Sequence, residues 1–408
     1  MQGRRAEAGY LLASVPLRLV SSGTELGLTL VAVRSLHDLA LGAALIAVLT
    51  APSVIAAPAV GAVLDAVRSP GRAMTVAAVL LAAALAVAAF AGSVPLPVVI
   101  VTLGTGGLAL PVFLGGLSSF AGDLMSHDAA RGFAIDALSY NVASVAGPAV
   151  VATAVAVASP RDAMLLLALL ALIGGALLAL LPIHRRVGTD GGSASAPAPT
   201  LGVLAGIRAG VTHLLTHPPL ARATASATLT QVGAGALPVV AVAFALQTGA
   251  AASGGGVLLT AFAVGGLAGA GLATLPAIAR RLSAARAEVV MGAGFAVIGL
   301  CTLLAAVAPT LPLAVVAYAL SGLPDAAAIA ALFRIRRSES PAAVQAQVFT
   351  VGSGLRTAAA ALGAALVGLV VHADARLLTV GVGVVWVASA LLLVRRRVRT
   401  SVRPNPGT

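Results

Sequence analysis

The chain has 408 residues, 59% of them hydrophobic and 9% charged, with a mean hydropathy of +1.05. Polar residues this scarce cannot cover a water-exposed surface, which excludes a soluble globule. A net charge of +12 does not mark nucleic-acid binding, because the basic residues fall in short clusters between apolar runs rather than on one soluble face.

The long Ala, Leu, Val and Gly runs lack the every-second-residue alternation of a closed barrel, so helices must carry the membrane crossing. All 25 basic residues are Arg. Without lysine there is no Walker A lysine and no Schiff-base or pyridoxal phosphate chemistry. Cys301 is the sole cysteine, which excludes a disulfide within the chain. No nucleophile, metal or nucleotide constellation stands out, so neither an enzyme nor a cofactor is expected.

In chain order, Met1 to Tyr10 with Arg4 and Arg5 opens like a secretory signal, but the apolar run continues through Arg18 and Glu25 for a full span. A retained first helix is expected. Apolar runs predict spans near residues 11–33, 41–64, 73–92, 97–121, 133–157 and 162–183, and again near 218–247, 252–278, 287–307, 311–333, 343–371 and 375–394. The expected fold is therefore an all-α integral membrane protein of about twelve transmembrane helices in two six-helix pseudo-symmetric bundles. Residues 1–183 form the first bundle, 184–217 a cytoplasmic linker with an interfacial helix, and 218–408 the second bundle and a basic tail. The linker contains GTDGGSASAPAP, too poor in apolar side chains to pack.

Arginine placement predicts orientation, since cytoplasmic loops retain positive charge. Twenty arginines, among them Arg68, Arg72, Arg185, Arg186, Arg280, Arg281, Arg334 and Arg337, fall on one side; Arg34, Arg161 and Arg376 fall on the other. Both termini are expected to be cytoplasmic, in a multi-pass protein of the plasma membrane. The two halves also echo each other: GAVLDAVRSPGR from Gly61 and LPAIARRLSAAR from Leu275 place arginines at matching turns.

Charged residues inside the spans are the candidates for function. A charge at the bilayer centre costs about 2.5–3.5 kcal/mol on translocon scales, so it should face protein or water. Ser14, Arg18, Ser22, Glu25 and Thr29 follow one another by four, four, three and four residues, which draws a polar stripe along the first span. The seventh span carries Thr224, Thr228, Gln231 and Gly235 in a similar stripe. Tyr318, Ser321 and Asp325 share a face in the tenth, and Arg356 lies within the eleventh. In the functional reading Glu25 or Asp325 is a proton carrier and the stripes line a cavity. In the structural reading the two acids and two arginines form fixed ion pairs that lock helices together.

In the fifth span Asp136, Tyr140 and Asn141 share part of a face ahead of Gly147 and Pro148, a pair that either hinges the helix or lets it pack closely. Asp136 is expected to be solvated or capping at the membrane edge. His213 and His217 have the spacing of a metal pair but no accompanying acid or cysteine, so an interfacial helix face is expected and no metal site is assigned. Gly265 and Gly269 are read as a close helix contact.

Twelve spans in two similar halves, a mid-chain linker and the turn from Gly61 to Arg72 resemble the major facilitator superfamily. In that family the turn reads Gly-x-x-x-Asp-Arg-x-Gly-Arg-Arg; Gly61 and Asp65 match, Ala66 replaces the Arg, and extra residues precede Gly71 and Arg72. Gly147 and Pro148 resemble the Gly-Pro motif of drug-proton antiporters in the fifth span, with Val151 and Ala152 where a Gly pair is usual. The resemblance implies that Gly61, Asp65 and Arg72 belong to a cytoplasmic gate and that spans 1, 4, 7 and 10 line the cavity. The expected function is secondary transport of a small organic solute by alternating access, as proton-coupled efflux. The alternatives are an importer of a sugar or metabolite, and a sensor or channel without solute turnover. The expected partners are a small-molecule substrate, protons and the lipid bilayer, with the chain acting as a monomer.

Overall fold

The computed structural model describes residues 2–67, 69–120, 129–181 and 203–393. The linker run at 184–200, Arg68 and the basic tail lie outside the described residues, as do the side chains of Gly61, Asp65, Arg131 and Asn141.

Every described element of the bundle is helical, because long runs of Ala and Leu both favour the helix and satisfy all backbone groups within it. The first half comprises α1 (Gln2–Val31), α2 (Leu39–Ala66), α3 (Pro70–Ala89), α4 (Leu96–Gly107), α5 (Ala129–Val157) and α6 (Pro160–Leu180). After α7 (Val203–Thr216) come α8 (Pro218–Gln247), α9 (Gly254–Ala273), α10 (Pro276–Ala284), α11 (Ala287–Ala306), α12 (Leu311–Gly322), α13 (Asp325–Ser338), α14 (Ala342–Val370) and α15 (Ala375–Leu391). Pro70, Pro160, Pro218 and Pro276 each begin a helix, where the missing N–H costs nothing and the fixed φ helps.

Ten of the twelve expected spans are long and apolar enough to cross a membrane among the described residues. The two outside that set are the first, whose α1 carries Arg18 and Glu25, and the last, α15, at 17 residues. Two expected spans are broken. The fourth passes from α4 through a π turn at Val112–Gly116, and the tenth divides into α12 and α13 at Leu323 and Pro324, which caps α13. Interrupted helices inside a membrane bundle persist where protein or a cavity covers the freed backbone.

Within the first half α1 packs on α5 and α6, α3 on α6, and α2 on α4; within the second, α8 packs on α14 and α15, α11 on α13 and α15, and α9 on α12. Small residues set the spacing. Gly265 and Gly269 of α9 lie directly against the carbonyls of Ala319 and Leu323, as their four-residue spacing suggested, and Gly235 of α8 lies against the carbonyl of Ala360.

The two halves meet through α2 with α14 and through α5 with α9. These contacts lie toward the end opposite the arginine clusters. A Cβ on Gly256, at the start of α9, would come within 2.5 Å of Ala152 Cβ and 2.8 Å of Leu26 Cδ2, and one on Gly368, near the end of α14, within 2.9 Å of Ala43 Cβ.

Candidate functional site

Below those contacts, toward the arginine-rich end, the halves separate around a cavity of about 420 Å³. The first half contributes Ser22, Glu25 and Leu26 of α1 with Ser144 and Pro148 of α5. The second contributes Ala234, Leu237 and Pro238 of α8, residues of α9 including Phe262, and Asp325 and Ile329 of α13. Glu25 and Asp325 therefore enter one cavity from opposite halves. Both are half-buried, their remaining exposure being to this space.

Glu25 reaches the cavity because α1 turns the next stretch of its polar stripe elsewhere. Arg18, 1% exposed, points toward α5, where Nη2 donates to Asp136 Oδ1 at 2.5 Å and Nη1 to the Asp136 carbonyl at 2.8 Å and to Ser139 Oγ, while Ser118 Oγ at the end of the fourth span accepts from Nη2 at 2.7 Å. Tyr10 donates its hydroxyl to the same carboxylate, and the guanidinium lies 3.7 Å from the centroid of the Tyr140 ring. Asp136 is thus no solvated edge residue, as its sequence position suggested; it is 8% exposed and is the counterion of Arg18. The chain bends the expectation because α5 begins well before the membrane-crossing stretch, carrying Asp136 into the bundle beside α1.

Ser22 continues this seam rather than offering a donor to the cavity: its hydroxyl donates to the Ala143 carbonyl at 2.6 Å. One turn on, Gly147 sits so close to α1 that a Cβ would fall 2.9 Å from the Gly23 nitrogen. The helix α5 runs unbroken through Gly147 and Pro148, so in this conformation the pair serves close packing, with Pro148 at the cavity wall.

With Arg18 committed to Asp136, the Glu25 carboxylate has no ion-pair or hydrogen-bond partner among the described residues. Asp325 does have a neighbouring charge, since Arg356 of α14 lies within electrostatic reach of it. Arg356 Nε is buried without a hydrogen bond. The other expected residues lie off the cavity wall. Thr29 is buried and donates to the Glu25 carbonyl at 2.9 Å; the hydroxyls of Thr228 and Tyr318 are buried without a hydrogen bond; Gln231 is half-buried on α8. Arg72, of the expected gate, is exposed at the start of α3.

The cavity residues that sequence reasoning missed are Ser144, the α8 wall and the apolar α9 face. Pro238 was the available signal. It lies inside α8 and cannot donate to the Ala234 carbonyl, just as a proline at a cavity wall in α5 lacks its donor, and both Pro238 and Ala234 line the space. His213 and His217 stack at 3.8 Å between ring centroids, and His213 Nε2 lies 2.9 Å from the Glu339 carbonyl, joining α7 to the end of α13.

A two-bundle helical membrane protein with a charged cavity between its halves has the architecture of a carrier. A family model described as Major Facilitator Superfamily matches residues 11–364, and the chain belongs to that superfamily of membrane transporters, which places it among transporters rather than enzymes. Among solved structures, a crystal structure of the nucleoside transporter NupG, in a point-mutant form, is similar with a TM-score of 0.77 at 15% identity, covering 95% of this chain and 98% of that one. The POT family transporter PepTSo gives 0.70 at 13% identity over 95% and 97%, and an auto-inhibited POT family peptide transporter gives 0.69 at 15% over 98% and 99%. No curated protein matches by sequence.

Proposed function

We propose that the protein is a proton-coupled secondary transporter that exports a small organic solute by alternating access, with Glu25 as the proton carrier. The observation that carries this reading is the Glu25 carboxylate at the wall of the cavity between the halves, unpartnered among the described residues. A carboxyl with no fixed counterion changes its proton affinity with its surroundings, so a rearrangement that exposes it to one side or buries it drives uptake and release. Asp325 has the Arg356 charge beside it, which leaves Glu25 as the carboxylate open to exchange.

In this reading the arginine-rich end faces the cytoplasm of a plasma-membrane protein, with both termini on that side, and the conformer is open inward. The halves are divided at residues 184–217, and Gly61, Asp65 and Arg72 close the cytoplasmic end in the opposite state. The chain works as a monomer, because the cavity is built within one chain. Outward direction rests on the Gly147-Pro148 pair, which resembles the fifth-span motif of drug-proton antiporters.

The test is substrate-dependent proton flux in reconstituted vesicles, using a solute found by thermal-shift screening of the purified protein. The wild type moves protons with the solute, and Glu25→Gln loses solute-driven proton movement. Unchanged coupling in Glu25→Gln removes Glu25 from the mechanism.

A further inference from the structure

The polar chemistry of the cavity is one-sided. Its two ionisable side chains are both carboxylates, one from each half, and among the described residues only Asp325 has a guanidinium within electrostatic reach. The Ser22 hydroxyl is already given to the Ala143 carbonyl. Pro238 withholds a donor from the Ala234 carbonyl, so the backbone there also turns acceptor character toward the space. Ser144 adds a second hydroxyl from α5, and the rest of the wall, from Leu26, Leu237, Phe262 and Ile329, is apolar.

Three solute classes can be weighed against that wall. An anion meets two carboxylates at close quarters, where like charges in a partly dehydrated space repel strongly. A neutral polyol, sugar or nucleoside needs many donors and acceptors in alternation, and a buried hydroxyl left without a partner is costly. A wall of two carboxylates, two serines and hydrocarbon does not supply them. A cation with an apolar body satisfies both parts at once: its charged head neutralises Glu25, and its body takes the place of water against the leucines, Phe262 and Ile329.

Resting on the transport reading of this same site, we propose that the substrate is a small organic monocation, an amine or ammonium with an apolar body, whose charged head sits at Glu25. The charged groups facing that head are Asp325 from α13 and, behind it, Arg356 from α14; Arg18 is turned away to Asp136. Glu25 then holds either the proton or the cation head. Each displaces the other, which is the arrangement that exchange in opposite directions requires.

The experiment is titration calorimetry on the purified full-length chain with three probes that share a phenylmethyl body: benzyltrimethylammonium, the neutral N,N-dimethyl-2-phenylacetamide and the anionic phenylmethanesulfonate. The expected result is binding of the cation with an affinity at least about tenfold above the other two, a loss of about tenfold or more in Glu25→Gln, and retention in Glu25→Asp. Size-exclusion profiles confirm that each variant is folded, and the charge-retaining variant separates loss of charge from loss of shape. Equal binding of the neutral or anionic probe, an unchanged Glu25→Gln, or no cation binding to folded wild type overturns the proposal. The transport reading fails separately: cation binding without proton movement in vesicles removes coupling and leaves the cation site, whereas proton movement driven by a neutral solute does the reverse.

Discussion

Arg18 and Glu25 stand two helical turns apart on α1 and have opposite fates. Arg18 is enclosed, paired and hydrogen-bonded through both Nη atoms, while Glu25 keeps an open face and no counterion among the described residues. Removing one partner of an enclosed pair strands the other charge, at a cost of about 3–5 kcal/mol. Asp136→Asn and Arg18→Met are each expected to lower the midpoint of thermal unfolding in detergent, and the double variant Arg18→Met with Asp136→Leu to recover much of the loss. Arg336 provides the converse case. It is fully buried above the Phe349 ring with none of its side-chain nitrogens hydrogen-bonded among the described residues, so Arg336→Met is expected to leave the unfolding midpoint unchanged or raise it. A fall comparable to that of Arg18→Met would show that Arg336 has a partner of its own.

At the scale of elements, glycine determines how near two helices come. Gly235 of α8 lies against the Ala360 carbonyl and Gly363 of α14 against that of Val232, a reciprocal contact that leaves no room for a methyl group. Gly235→Val is expected to destabilise by about 1–3 kcal/mol through overpacking, read again as a lower unfolding midpoint. The far ends of α8 and α15 are tied differently. Asp374 accepts from Gln247 Nε2 at 2.7 Å and from the backbone N–H of Arg376 at 2.8 Å, and Gln247 Oε1 accepts from the Ala375 N–H at 2.6 Å. The Gln247 amide, followed by the Arg376 N–H, holds the Asp374 carboxyl below the usual carboxylate range. A carboxyl with a lowered folded-state value contributes stability above its unfolded value of about 3.9 and loses it as pH falls through the lowered one. Asp374→Ala is therefore expected to lower the unfolding midpoint at neutral pH, with the difference from wild type closing in acid.

Such elements were largely legible beforehand, for reasons that differ by position. The span at 218–247 coincides with α8 because Pro218 starts the helix and an uninterrupted apolar run sustains it. The breaks near Val112 and Pro324 were hidden, since hydropathy does not register a turn made within an apolar run. The Arg18–Asp136 pair was also hidden. Spacing along one helix shows which residues share a face, but a face of α1 meets α5 at one level and the cavity at another, and only the packing of helices decides which. Glu25 was found for that reason as a candidate and Ser144 and Phe262 were not, having no charge to draw notice.

For the whole molecule, the placement of contacts defines the conformation. The halves touch through α2 with α14 and α5 with α9 at the end away from the arginines, and the cavity lies on the other side of those contacts. The proposed alternating access exchanges that closed end for a closed arginine-rich end and would carry Glu25 between the two environments. The most direct measurement is the distance between spin labels at Arg72 of α3 and Arg280 of α10, both exposed at the arginine-rich end of opposite halves. Two distance populations whose proportions shift between acid and neutral pH in wild type, and no longer shift in Glu25→Gln, are the predicted result. A single distance that pH does not move, or a shift that survives intact in Glu25→Gln, contradicts it.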